Sequence, residues 1–164
     1  MSATQLFLFH ETKHERQSKQ LSEILDCLNG IWSINYGGCG ISALAIYRWS
    51  KQNESVSDRP FVFLWRENDE WEAENNDESL ENGDLDSVEV PCHIAIELYA
   101  GLYDSEGLRD DDCYPFVIRQ SYKLNESELL HVINSDGWNS SFNRANFIPQ
   151  IEHDLGIDLS DVER

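Results

Sequence analysis

The sequence predicts an α+β fold, a small antiparallel sheet packed against a central N-terminal helix that carries a cysteine at its start. Three observations predict it. A glycine-rich turn, Asn35-Tyr36-Gly37-Gly38-Cys39-Gly40, runs into an apolar helix, Ile41-Ser42-Ala43-Leu44-Ala45-Ile46-Tyr47-Arg48-Trp49. About fifty residues later Cys92-His93-Ile94-Ala95-Ile96-Glu97-Leu98-Tyr99 alternates apolar with other residues, and a turn returns the chain in a second extended run, as a hairpin requires. Finally, helical patterns gather toward the two ends of the chain instead of alternating with strands, which disfavours βαβ units.

In chain order, Leu6-Phe7-Leu8-Phe9 is a short apolar run compatible with an edge strand or a helix start. Leu21, Ile24, Leu25 and Leu28 then fall at i, i+3, i+4 and i+7, one face of a helix stopped near Asn29-Gly30. Gly37-Gly38 supplies positive φ or close backbone approach before Cys39, and a second helix over 39–52 is apolar nearly all round, hence buried. Pro60-Phe61-Val62-Phe63-Leu64-Trp65 is a strand.

Positions 67–90 hold eleven acidic residues and no Lys or Arg, the signature of a solvated excursion, with Trp71, Leu80 and Leu85 as docking points and turns at Asn75-Asn76 and Asn82-Gly83. The alternating strand follows, with Ile94, Ile96 and Leu98 on one face and His93, Ala95 and Glu97 on the other; Ala100-Gly101 turns it into Leu102-Tyr103-Asp104-Ser105. Phe116-Val117-Ile118 is a further strand. Asn125 caps a helix with Glu128 three residues on, and a last short helix over 145–155, broken or capped around Pro149, ends at Gly156.

The chain has 164 residues, enough for one domain with a real core and too few for two independent ones, so a single domain over 1–164 carrying the 67–90 insert is expected. Twelve Lys and Arg against 31 Asp and Glu leave a net charge of −19, which excludes a direct nucleic-acid or anionic-membrane binder because the basic footprint is missing. No apolar run approaches the roughly 18 residues of a membrane span, and the four cysteines, at 27, 39, 92 and 113, form no CxxC pair. A cytoplasmic protein with reduced thiols is the expectation.

The chemistry centres on Cys39. A helix N-terminus stabilises a thiolate through its unpaired N–H groups and dipole. His93 is placed to take or hold the thiol proton, and Asp104, eleven residues further, to orient the imidazole. Register decides between acids: a strict two-residue turn at Ala100-Gly101 sets Asp104 opposite Glu97, about 13 Å along the strand from His93 at roughly 3.3 Å per residue. Glu106, opposite Ala95 and diagonal to His93, is then the better orienter unless a bulge intervenes.

This order, Cys at a buried helix start, His at the start of a strand, an acid on the next strand, resembles the papain-like superfamily, especially its compact NlpC-like and transglutaminase-like members. The resemblance rests on Gly37-Gly38-Cys39-Gly40 with the helix to Trp49, on His93-Ile94-Ala95-Ile96 and on Tyr103-Asp104-Ser105-Glu106-Gly107, about the middle half of the chain. It implies a cysteine-dependent hydrolase or acyltransferase, such as a thiol protease, acting on an amide, peptide or thioester bond of a peptide or protein through a Cys39-His93-Asp104 triad. It also implies a polar oxyanion residue upstream of the cysteine, for which Asn35 is the candidate, with Ser33 and Asn29 nearby. No cofactor is called for. A metal site is not expected either, since Cys92 and His93 project to opposite faces of a strand and lack pair spacing.

Other readings bear on the same residues. Cys39 is also compatible with a buried thiol, and Cys27, Cys92 and Cys113 with structural ones. Trp32, Tyr36, Trp138 and Phe142 suit either a substrate cleft or core packing. From a different class, the chain is compatible with a non-catalytic acidic interaction protein, an inhibitor or nucleic-acid mimic, that binds a basic protein partner through 67–90.

Overall fold

The computed structural model describes residues 13–31, 34, 38–53, 56–98, 101–109, 117–120, 123–135 and 142–164. The apolar stripe predicted for the first helix forms α1 (Lys13–Asn29): Leu21, Ile24, Leu25 and Leu28 are all buried. α2 (Cys39–Asn53) follows, and residues 41–47 are buried as its all-round apolar pattern requires. The apolar run 6–9 lies outside the described residues.

Five strands follow: β1 (Phe61–Arg66), β2 (His93–Leu98), β3 (Gly101–Asp104), β4 (Gly107–Arg109) and β5 (Val117–Gln120). They form one sheet in the order β4-β3-β2-β1-β5, and every pairing is antiparallel. Phe61, Phe63 and Trp65 of β1 and Ile94, Ile96 and Leu98 of β2 join the helices in the main hydrophobic cluster. Val62, Leu64 and Ala95 form a smaller cluster with Cys92 and Leu102 packed on it. The fold is α+β.

Two expectations are corrected here. The acidic stretch is not a solvated loop: Glu67–Asp69 makes a 3₁₀ turn, Glu70–Glu81 a three-turn helix, α3, and Leu85–Ser87 a second 3₁₀ turn. Ala73 and Leu80 anchor α3 in the core, and Glu70 and Glu72 in its first turn suit the helix dipole. Asn75-Asn76 is helix, not turn, because the buried Asn76 amide spends its bonding capacity on a distant strand of chain: Nδ2 donates to Glu89 O at 2.9 Å and Oδ1 accepts from Glu89 N. Leu80 and Leu85 do pack on the core; Trp71 does not, and is 68% exposed. Asn82 ends the helix and Gly83, at φ 72°, turns the chain.

The second correction is the hairpin register. Leu98 pairs with Gly101, Glu97 with Leu102 and Ile96 with Tyr103, so Gly101 is the first residue of β3 and not a turn residue. Residues 99 and 100 themselves lie outside the described residues. β4 extends the sheet by a further tight turn at Ser105-Glu106, a strand too short to announce itself in the sequence.

At the C-terminal end α4 (Glu126–Ile133) begins with the predicted capping box, Asn125 accepting from Glu128 N and Glu128 accepting from Asn125 N. α5 (Arg144–Leu155) runs through Pro149 and ends on Gly156 in the left-handed conformation. The tail then returns to the core through Ile157, Leu159 and Val162. Arg48 near the end of α2 rivets these pieces: Nε bonds Glu126 at 2.8 Å, and Nη1 and Nη2 grip the two oxygens of Asp161 at 2.7 and 2.8 Å. Asp161 first, with Glu126, raises the Arg48 guanidinium above its ordinary value against the effect of burial.

Candidate active site

Cys39 is the first residue of α2. The carbonyl of Gly38 accepts the first helical bond, from Ser42 N at 2.8 Å, which leaves Cys39 at the mouth of the helix with no acidic side chain in the first turn to compete for its positive end. Both flanking glycines are needed for packing. A Cβ on Gly38 would sit 2.6 Å from Ile34 O, and one on Gly40 would meet Ile133 Cγ2 at 2.8 Å and Ile94 Cδ1 at 3.2 Å. Close approach, not positive φ, is thus what Gly38 supplies; Gly40 lets the helix start lie directly on the residue after His93.

His93 opens β2 opposite Leu64, where the chain re-enters the sheet after the acidic excursion. The observed register, carried one step past Ile96↔Tyr103, sets Asp104 opposite Ala95 and diagonal to His93. Asp104 therefore occupies the place expected for Glu106. Its Oδ2 lies 3.1 Å from His93 Nε2, with side-chain exposures of 13% for the histidine and 5% for the aspartate. Glu106 is exposed, and its backbone N–H donates to the other oxygen of Asp104, Oδ1, at 2.8 Å.

Cys39 is the other titratable group that acts on the His93 ring. Burial, the largest single influence, favours the neutral ring, but the hydrogen bond to Asp104 and the support of Cys39, with the charges of both, outweigh it, and the pKa is pushed up to about 9 from 6.5. The ring therefore holds its proton at neutral pH. Cys39 is half-buried.

The structure thus brings Cys39, His93 and Asp104 together. Asn35, the oxyanion candidate, lies outside the described residues, as do Ser33, Trp32, Tyr36, Cys113 and Trp138. Phe142 is buried, stacks on Phe147 with ring centroids 5.5 Å apart, and lies within 3.0 Å of where a Gly38 Cβ would project, so it packs beneath the glycine turn. Two contributions do not follow from the sequence reading. Gly40 belongs to the glycine-rich turn, but its close approach to Ile133 and Ile94 depends on the fold. The Glu106 amide has no sequence signal, since every residue but proline carries one.

Cys92, adjacent to His93, donates to Leu64 O at 2.7 Å, and burial pushes its thiol up. Cys27, Cys39 and Cys92 are all unbridged. Among the described residues no group of three or more His, Cys, Asp or Glu side chains gathers as a metal site requires, and no helix is long and apolar enough to cross a membrane. A cavity of about 360 Å³ lies at the far end of α2, but its arginine, Arg48, is already committed to Asp161 and Glu126.

Compared with protein-family models, curated proteins and solved structures, the chain matches none.

Proposed function

We propose that the protein is a cysteine-dependent hydrolase or acyltransferase on a papain-like, NlpC-like arrangement, acting on an amide, peptide or thioester bond of a peptide or protein. The observation that carries this reading is the position of one histidine ring, bonded to the Asp104 carboxylate at 3.1 Å and close enough to Cys39 for the thiol to support its proton. With Nε2 on Asp104, Nδ1 is the ring nitrogen that serves the thiol. Cys39 Sγ attacks the carbonyl carbon at the mouth of α2; His93 passes its proton to the departing amine or thiol, leaving an acyl-thioester. His93 then takes a proton from water or an incoming amine, which attacks the thioester and releases Cys39. Asp104 keeps the ring oriented and its cation stabilised throughout.

The test is thiol reactivity with iodoacetamide near neutral pH, mapped residue by residue. Cys39 reacts faster than the more exposed Cys27. Equal rates, together with retention of any measured activity in Cys39→Ala, would end the proposal.

A second reading, an acidic interaction protein, is favoured by one observation: Trp71 is 68% exposed on a helix that carries acids and no cation. A basic protein partner would cover the indole and neutralise α3. Binding to such a partner survives Cys39→Ala and weakens with salt and with neutralisation of acids in 67–90; binding indifferent to both rules it out.

A further inference from the structure

The β3–β4 turn closes directly behind the Asp104–His93 pair. Asp104 pairs with Gly107, and between them Ser105 is fully buried while Glu106 is exposed. Asp104 uses its two oxygens on different partners: Oδ2 on His93 Nε2 at 3.1 Å and Oδ1 on the Glu106 N–H at 2.8 Å. The second bond, from the residue two positions on, makes an Asx-turn, and it removes the rotational freedom of the carboxylate about its last torsion. Gly107 has φ 112°, a backbone region that residues with a Cβ rarely adopt, and nothing lies within 4 Å of where its Cβ would be. A side chain there is therefore opposed by the backbone alone, and relief of that strain moves the turn to which Glu106 N belongs.

We infer that this turn is the positioning device of the site: the Glu106 backbone N–H, held in place by Gly107, fixes Asp104 against His93, and the Glu106 carboxylate is not needed for it. The inference rests on the triad reading for its functional meaning, but not for its test. Glu106 and Gly107 are positioning residues, acting on the ring through Asp104.

The experiment follows the His93 ring by NMR across pH in the full chain. The titratable groups that act on the ring are Asp104 from β3, bonded to it, and Cys39 from α2, with Cys92 preceding it in the chain. Gly107→Ala lowers the His93 midpoint by about one unit or more, because a displaced carboxylate supports the cation less well. Gly83→Ala, at another positive-φ glycine with open space around it, incurs a similar backbone penalty just past the end of α3 and leaves the midpoint unchanged. Glu106→Gln also leaves it unchanged. If Gly107→Ala does not fold, an amide-to-ester replacement at residue 106, which deletes only the donor, lowers the midpoint instead. The inference is overturned by an unchanged midpoint in the folded Gly107→Ala protein or in the ester, or by a shift in Glu106→Gln as large as theirs. None of these results depends on catalysis, so an unreactive Cys39 would defeat the enzyme reading while leaving this one standing.

Discussion

Asp104 reaches His93 because Leu98, at the end of β2, pairs with Gly101, the first residue of β3. With Leu98 opposite Gly101, Asp104 is diagonal to His93 and its Oδ2 sits 3.1 Å from Nε2. One residue of difference in the turn would have carried the acid along the strand, beyond contact.

Asp104→Asn keeps the shape of this contact and removes its charge. His93 then loses much of what holds it at about 9 and moves toward 6.5. Cys39-dependent turnover, measured as kcat/KM on an activated ester or thioester, falls by roughly 10²–10⁴. Glu106→Gln under the same assay changes little.

Stability should carry the mark of the raised His93. Its folded pKa of about 9 exceeds the ordinary 6.5. The ring therefore contributes stability that is complete below about 6.5 and disappears as pH rises through about 9. The difference in urea midpoint between the native protein and His93→Gln is accordingly larger at pH 6 than at pH 10; a difference constant with pH would show that folding leaves the His93 pKa at its unfolded value.

Gly40→Ala tests the seating of the nucleophile. The added methyl meets Ile133 and Ile94 at 2.8 and 3.2 Å, so α2 must shift or those side chains must leave their rotamers. Overpacking of this kind costs about 1–3 kcal/mol in chemical denaturation. Iodoacetamide labelling of Cys39 slows relative to Cys27, which serves as the internal reference.

On α3 the two large apolar residues separate cleanly. Leu80→Ala removes a side chain that is 5% exposed and costs about 2–5 kcal/mol. Trp71→Ala, at a site 68% exposed, stays within about 0.5 kcal/mol. Loss of stability in Trp71→Ala comparable to that in Leu80→Ala would mean that the indole packs on the protein itself and is not presented to a partner.

Much of the helical framework was legible because it rests on spacing and local capping. Leu21, Ile24, Leu25 and Leu28 declare α1, and Asn125 with Glu128 declares α4, without reference to anything distant. α3 was hidden for the opposite reason: its acids suggest solvation, and what folds it is Asn76 meeting Glu89 and Ala73 and Leu80 meeting a core built elsewhere. The members of the site were legible by residue type and order, but their contact was not. Gly101 looked like a turn residue and is a strand residue, and that single difference lets Asp104, and not the alternative Glu106, reach His93.

The rivet at Arg48 gives α2 a mechanical character. Nine residues separate it from Cys39, so two and a half helical turns, or about 13 Å, join the thiol to a guanidinium clamped by Glu126 and Asp161. A rod fixed at its far end has little freedom to roll or slide at the near one. Changes in the C-terminal tail, 113 residues away in sequence from the arginine it grips, are then transmitted along the helix as changes in aim. An Asp161→Asn protein would betray itself less by unfolding than by a thiol that points a few degrees wide of its histidine.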